Sequence, residues 1–236
     1  MSENIKKIMK AFMADLDSRE NQSIILKPST RPFNNQAHQV NEVPKKIVEK
    51  IYKLIEGTKH SNDDIILNHN KIKEAFFSPF KPQLKDAQVF LSHSHADKNK
   101  ALKVKNYLEE DLDTECIFID SLFWDYKDDV LNELEKYDDT SKIKDAFTLI
   151  LRESLQDMIE KCPYFVFLQS NNSVSNQGLS CTYSAWIHEE LKIAHSIRES
   201  RPTPMMESWQ VSHNISPFLE SLETITLSKL SHIINS

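Results

Sequence analysis

The sequence predicts an α/β protein, with a parallel sheet built from residues 85–236 and a helical segment over residues 1–84. Three observations lead to this. Short, largely apolar runs at Ala87–Leu91, Cys116–Ile119 and Tyr164–Leu168 alternate with stretches of helical spacing, the order of elements that builds parallel strands. Before residue 85 the apolar residues recur at helical spacing only. Each run then breaks abruptly into polar residues, as a buried strand does where it delivers a loop to the carboxyl edge of a sheet, the place where open α/β folds bind ligands.

Along the chain, Ile5, Ile8, Met9, Phe12, Met13 and Leu16 share one helical face and predict an amphipathic helix ending near Asp17-Ser18, with core packing its favoured role over oligomerisation. Pro44 opens a second helix with the stripe Ile47, Val48, Ile51, Leu54 and Ile55, stopped by Gly57. A third helix is expected over residues 63–77, and Ser78-Pro79-Phe80-Lys81-Pro82 reads as a linker. The first strand is followed by a helix with Ala101, Val104, Tyr107 and Leu108 facing inward, then the strand at Cys116–Ile119. An exposed loop over Asp120–Tyr126 carries three aromatic residues among acids, and a long helix presents Ile143, Phe147, Ile150, Leu151, Leu155, Met158 and Ile159. The strand Tyr164–Leu168 exits into a loop rich in Asn and Ser, helix resumes to Ile197, and a short last strand is expected near Thr224–Leu227.

Composition narrows the function classes. A net charge of −6 over 236 residues, with no basic cluster, argues against nucleic acid as a partner. No apolar run approaches the roughly 18 residues of a membrane span. The first ten residues lack the apolar core and cleavage site of a secretory signal, which leaves a cytoplasmic location as the expectation. Cys116, Cys162 and Cys181 form no C-x-x-C pair and fit buried or incidental thiols. With only Gly57 and Gly178 present, neither a G-x-G-x-x-G turn nor a phosphate-cradling P-loop can be built.

Four boxes in order carry a family resemblance. Val89-Phe90-Leu91-Ser92-His93 is similar to the opening strand and loop of the Toll/interleukin-1 receptor (TIR) domains, in particular their bacterial forms. Cys116-Ile117-Phe118-Ile119-Asp120 resembles the strand leading to their BB loop, and Cys162–Ser173 their central strand and Ser-Asn loop. Ser184-Ala185-Trp186-Ile187-His188-Glu189-Glu190-Leu191 resembles the W-x-x-x-E box on the helix that holds the catalytic glutamate of enzymatic members. The likeness covers residues 85–200, departing in a long segment between Asp125 and Leu155 and in the lack of BB-loop glycines.

The resemblance implies a flavodoxin-like sheet and cleavage of the nicotinamide–ribose bond of NAD+, with NAD+ as substrate and no separate cofactor. Products would be nicotinamide and ADP-ribose or a cyclised relative. Loss of nicotinamide from the anomeric carbon passes through an oxocarbenium-like state that a fixed carboxylate stabilises. The family match assigns that role to Glu190, although spacing alone leaves Glu189 open. Trp186, one turn earlier, would shield it from water, and Ser92, His93, Ser94, Phe118, Asp120, Trp124 and Ser170 are the expected substrate-binding residues. The resemblance also implies homo-oligomers through TIR–TIR contacts, a downstream effector that senses a nucleotide product, and a place in bacterial antiviral defence.

Competing patterns are weaker. Ser92-His93-Ser94-His95-Ala96-Asp97 echoes the H-x-H-x-D-H box of dinuclear zinc hydrolases, but Lys98 replaces the last histidine. His188-Glu189-Glu190-Leu191-Lys192 begins like H-E-x-x-H, with Lys192 where the second ligand must stand. No metal site is expected. The main alternative is a TIR module that acts by docking alone, as an adaptor or effector, for which an intact carboxylate box is unnecessary.

Overall fold

The computed structural model describes residues 9–27, 45–56, 69–78, 86–112, 117–135, 141–176, 180–199 and 213–235. The chain divides into two compact units, one of residues 1–33, 86–121 and 158–236, the other of residues 34–85 and 122–157. The described amino-terminal residues, 9–27, therefore fall in the unit that holds the sheet, and the expected boundary at residue 84 does not separate them from it.

The first unit is a five-stranded parallel sheet. Its strands are β1 (Lys10–Asp15), β2 (Val89–His93), β3 (Ile117–Ile119), β4 (Tyr164–Gln169) and β8 (Glu223–Thr224), in the spatial order β3-β2-β4-β1-β8. A second, antiparallel sheet joins β5 (Ser175–Asn176), β6 (Ser180–Thr182) and β7 (His213–Asn214). A parallel five-stranded sheet is compatible with a flavodoxin-like fold. In the 2-1-3-4-5 order of that fold, β2, β3 and β4 take the places of strands one to three. The fourth place is filled from the amino terminus, by β1.

This corrects the expectation of an amphipathic helix from Ile5 to Leu16. Residues 1–8 lie outside the described residues, and Lys10–Asp15 is a strand paired with β4 through six residues and with β8 on its other side. A short apolar run satisfies strand and helix periods alike. What decides is the open edge of β4, whose backbone groups need partners when buried. Ala11, Phe12 and Ala14 are accordingly enclosed.

Phe90 anchors the sheet. Its ring stacks on Phe118 at 5.8 Å and on Phe165 at 5.9 Å, forming an aromatic row across β3, β2 and β4, in register. Helices α1 (Arg19–Ile25), α4 (Lys98–Leu112), α7 (Ala185–Glu199), α8 (Ser216–Leu219) and α9 (Leu227–Ile234) belong to the same unit. Ser18 caps α1 by accepting from the Asn21 N–H at 3.3 Å. Buried Asn21 then donates to the Asp15 carbonyl at 2.7 Å and accepts from the Leu227 N–H at 3.0 Å, joining β1, α1 and α9. The last strand is confined to Glu223–Thr224, because Thr226 caps α9 immediately afterwards.

In the second unit, α2 (Lys45–Glu56) and α3 (His69–Phe77) bury Val48, Ile51, Ile72, Ala75 and Phe76, as the helical stripes require. Phe76 meets Phe147 of α6 (Ser141–Lys161) edge to face at 6.3 Å. Lys73 pairs with Asp157 at 2.6 Å. Pro44, Gly57 and the Ser78–Pro82 linker, apart from Ser78 itself, lie outside the described residues. Among the described residues no helix is long and apolar enough to cross a membrane.

Candidate functional site

The carboxyl ends of β1, β2, β3 and β4 place a cluster of polar side chains at one edge of the sheet. β2 leads to β3 on one side and the chain then crosses to β4 on the other, so the β2–β4 crevice is a topological switch point, the usual ligand position in open α/β sheets.

Ser92 and His93 are strand residues, paired with Phe167 and Leu168 of β4, and both are buried. Because strand side chains alternate, they leave β2 on opposite faces. On one face, Ser92 Oγ donates to Glu190 Oε2 of α7 at 2.5 Å, with both residues fully enclosed. Glu189 is also enclosed, but its Oε2 lies 3.6 Å from Lys192 Nζ. Spacing leaves the two glutamates equivalent; the tertiary structure gives Glu190 to the β2 end and Glu189 to a lysine one turn on. Trp186 is half-buried at the start of α7, one turn before Glu190.

His93 meets Asp120. Its Nδ1 contacts Asp120 Oδ1 as an ion-pair contact rather than an aligned hydrogen bond, and its backbone N–H donates to Asp120 Oδ2 at 3.4 Å. Asp120 is the first residue of α5 (Asp120–Leu134), so the exposed aromatic loop expected at Asp120–Tyr126 is helical instead. That stretch has no glycine or proline to break a helix, and an acidic residue in the first turn complements the helix dipole. Trp124 lies on this helix, with its side chain outside the described residues. Cys116 falls outside them too, and the strand begins at Ile117. Phe118, expected at the cleft, is 2% exposed and occupies the aromatic row beside Phe90.

A second network centres on buried Asp97, in the 3-10 turn His95–Asp97 that follows β2. Ser170, at the end of β4, donates its Oγ to Asp97 Oδ2, and Asn172 Nδ2 donates to Asp97 Oδ1 at 2.9 Å. Lys100 bridges Asp97 at 3.4 Å and Asp17 at 3.2 Å, while the Asn171 N–H donates to Asp17 Oδ2 at 3.0 Å. The Asn171 hydrogen bond, helped by Lys100, holds the Asp17 carboxyl below its ordinary value despite partial burial. Burial pulls the Lys100 ammonium down, but the hydrogen bond and charge of Asp17, with Asp97, leave it raised. Half-buried Ser94 accepts the Asp97 N–H at its carbonyl, 2.8 Å away, and its side chain makes no capping bond.

The expected site residues thus separate into three groups. Ser92, Glu190 and Trp186 gather around α7; His93 and Asp120 form a dyad; Ser170 belongs to the Asp97 network. Sequence reasoning meets Asp97 only in the zinc-type box that Lys98 breaks, and it singles out neither Asp17 nor Lys100 as a site residue. The available signal is that Asp97 closes the polar box after β2 and that Asp17 follows a run now known to be a strand. His95 is exposed while His93 is buried, and among the described residues no group of three or more His, Cys, Asp or Glu side chains is placed to hold a metal ion.

No family model, characterised protein or solved structure matches this chain.

Proposed function

We propose that the chain is an NAD+ glycohydrolase of the TIR type, cleaving the nicotinamide–ribose bond to give nicotinamide and ADP-ribose or a cyclic ADP-ribose signal. The observation that carries this reading is the meeting of Glu190 with Ser92 at the switch point of the sheet. The order of the four sequence boxes supports it independently. In this reading Glu190 stabilises the positive charge that develops on the ribose as nicotinamide leaves, and the enclosed surroundings strengthen that interaction relative to water. Ser92 holds the carboxylate in place, Trp186 limits water, and His93, Ser94, Asp120 and Ser170 supply polar contacts along the nucleotide. Assembly through TIR–TIR contacts, a product-sensing effector and a role in antiviral defence belong to the same proposal.

A second reading is favoured by one specific observation: Glu190 has no exposed surface. A carboxylate closed off in this way also serves as an internal tie between α7 and β2, in a module that works by docking. Incubating the purified chain with NAD+ separates the two. Nicotinamide release that is lost in Glu190→Gln supports the enzyme; no release, including at high protein concentration, supports the docking module.

A further inference from the structure

The His93–Asp120 dyad has chemistry that the carboxylate reading leaves unused. His93 is 3% exposed, and its Nε2 has no hydrogen-bond partner among the described residues. A buried ring nitrogen without a partner is costly and uncommon in a structural histidine. The other nitrogen, Nδ1, faces the Asp120 carboxylate, which favours the tautomer with the proton on Nδ1 and a lone pair on Nε2. Ser121, the next residue in the first turn of α5, is also buried with its Oγ unpartnered among the described residues. Both polar atoms lack a partner among the described residues and lie where the paired strands β2 and β3 end, and each can take a substrate hydroxyl or a water as its partner.

We propose that His93 is the general base of the reaction, with Asp120 its positioning residue. This rests on the glycohydrolase reading and deepens it. Glu190 approaches the β2 end over the Ser92 face, whereas His93 leaves the strand on the opposite face. Carboxylate and base therefore approach the strand end from two sides, an arrangement suited to charge stabilisation and water activation on different faces of one sugar. In the step, the bond from the anomeric carbon to nicotinamide breaks, and its electron pair leaves with neutral nicotinamide. The water oxygen bonds to the anomeric carbon, and its proton passes to His93 Nε2. The imidazolium then returns that proton to solvent, so the products are nicotinamide, ADP-ribose and one proton.

The test uses the full chain as wild type, His93→Gln and Asp120→Asn, with NAD+ as substrate and nicotinamide release followed across pH. His93→Gln is expected to lower kcat about 100-fold or more, within the usual range for a general base. KM should change by less than about threefold, and the fall in kcat on the acid side should disappear. Asp120→Asn is expected to lower kcat and move the acid-side fall, which a merely structural residue would not do. Nitrogen NMR of the wild-type imidazole is expected to show the proton on Nδ1, and the opposite tautomer overturns the proposal even if the variants fail to fold. An active wild type with an equally active His93→Gln that keeps its acid-side fall overturns the base role alone. A wild type that releases no nicotinamide overturns the glycohydrolase reading and the base role with it.

Discussion

Ser92 Oγ lies 2.5 Å from Glu190 Oε2, closing a hydrogen bond between residues 98 positions apart in the chain. It ties the carboxyl end of β2 to α7 at a point where neither side chain reaches solvent. Removing the donor leaves a buried carboxylate oxygen without it, so Ser92→Ala should destabilise the fold by about 1–3 kcal/mol. Urea denaturation reads this. In a double-mutant cycle with Glu190→Gln, the two changes should fail to add by about 1 kcal/mol or more, as contacting residues do. Strict additivity would show that the pair is not coupled.

The Asp17–Lys100–Asn171 group should impose a pH dependence on stability. Asp17 has its carboxyl lowered in the folded state, so its contribution is fully present above the ordinary carboxylate range and is lost as pH falls through the lowered folded value. Asp17→Asn should therefore melt below the wild type at neutral pH, with the gap narrowing toward pH 3. Lys100 is raised, so its share persists below the ordinary lysine range and fades only as pH rises above it. The side chains are 30% and 38% exposed, which keeps the ion-pair part under about 1 kcal/mol. A gap that stays constant from neutral to acid pH would contradict the assignment.

Truncation distinguishes a helical appendage from a sheet strand. β1 lies between β4 and β8, so a chain starting at residue 85 loses a central strand and uncovers β4. Such a chain is expected to lose cooperative thermal unfolding and to aggregate through the open edge. A soluble truncated chain with a sharp melting transition would mean that β1 is dispensable. Phe12→Ala is the milder version, at a cost of about 3–5 kcal/mol for a buried phenylalanine.

Asn21 offers a further test far from the edge cluster. Its amide serves the Asp15 carbonyl and the Leu227 N–H at once, and it is 2% exposed. Asn21→Ala should cost about 1–3 kcal/mol for each backbone group it strands. Amide hydrogen exchange should locate the loosening at Leu227 and the start of α9. Unchanged protection there would place the stabilisation elsewhere.

Much of the architecture is legible in the residues. Val89–Leu91, Ile117–Ile119 and Tyr164–Leu168 are apolar throughout because a parallel strand is covered on both faces, and all three form strands. Trp186 and Glu190 share a helix face by spacing alone, and α7 spans both. Two segments escape this reading. Met9–Ala14 carries apolar residues that satisfy either period, and nothing local reveals that β4 lacks a neighbour for it to join. Asp120–Tyr126 looks like a loop because its aromatic residues sit among acids. Helix formation there follows from backbone continuity after β3, together with the absence of a breaker.

By itself the sequence determined the residue types at the sheet's polar edge and the two strand ends that present them, since hydrophobic periodicity and its interruption are local properties. Only the tertiary structure decided which partners those residues take. Glu190 rather than Glu189 meets Ser92, Asp120 meets His93, and Asp97 meets Ser170 and Lys100. Such choices depend on strand order and helix placement across separations of up to about a hundred residues, where no pattern in neighbouring positions carries the information.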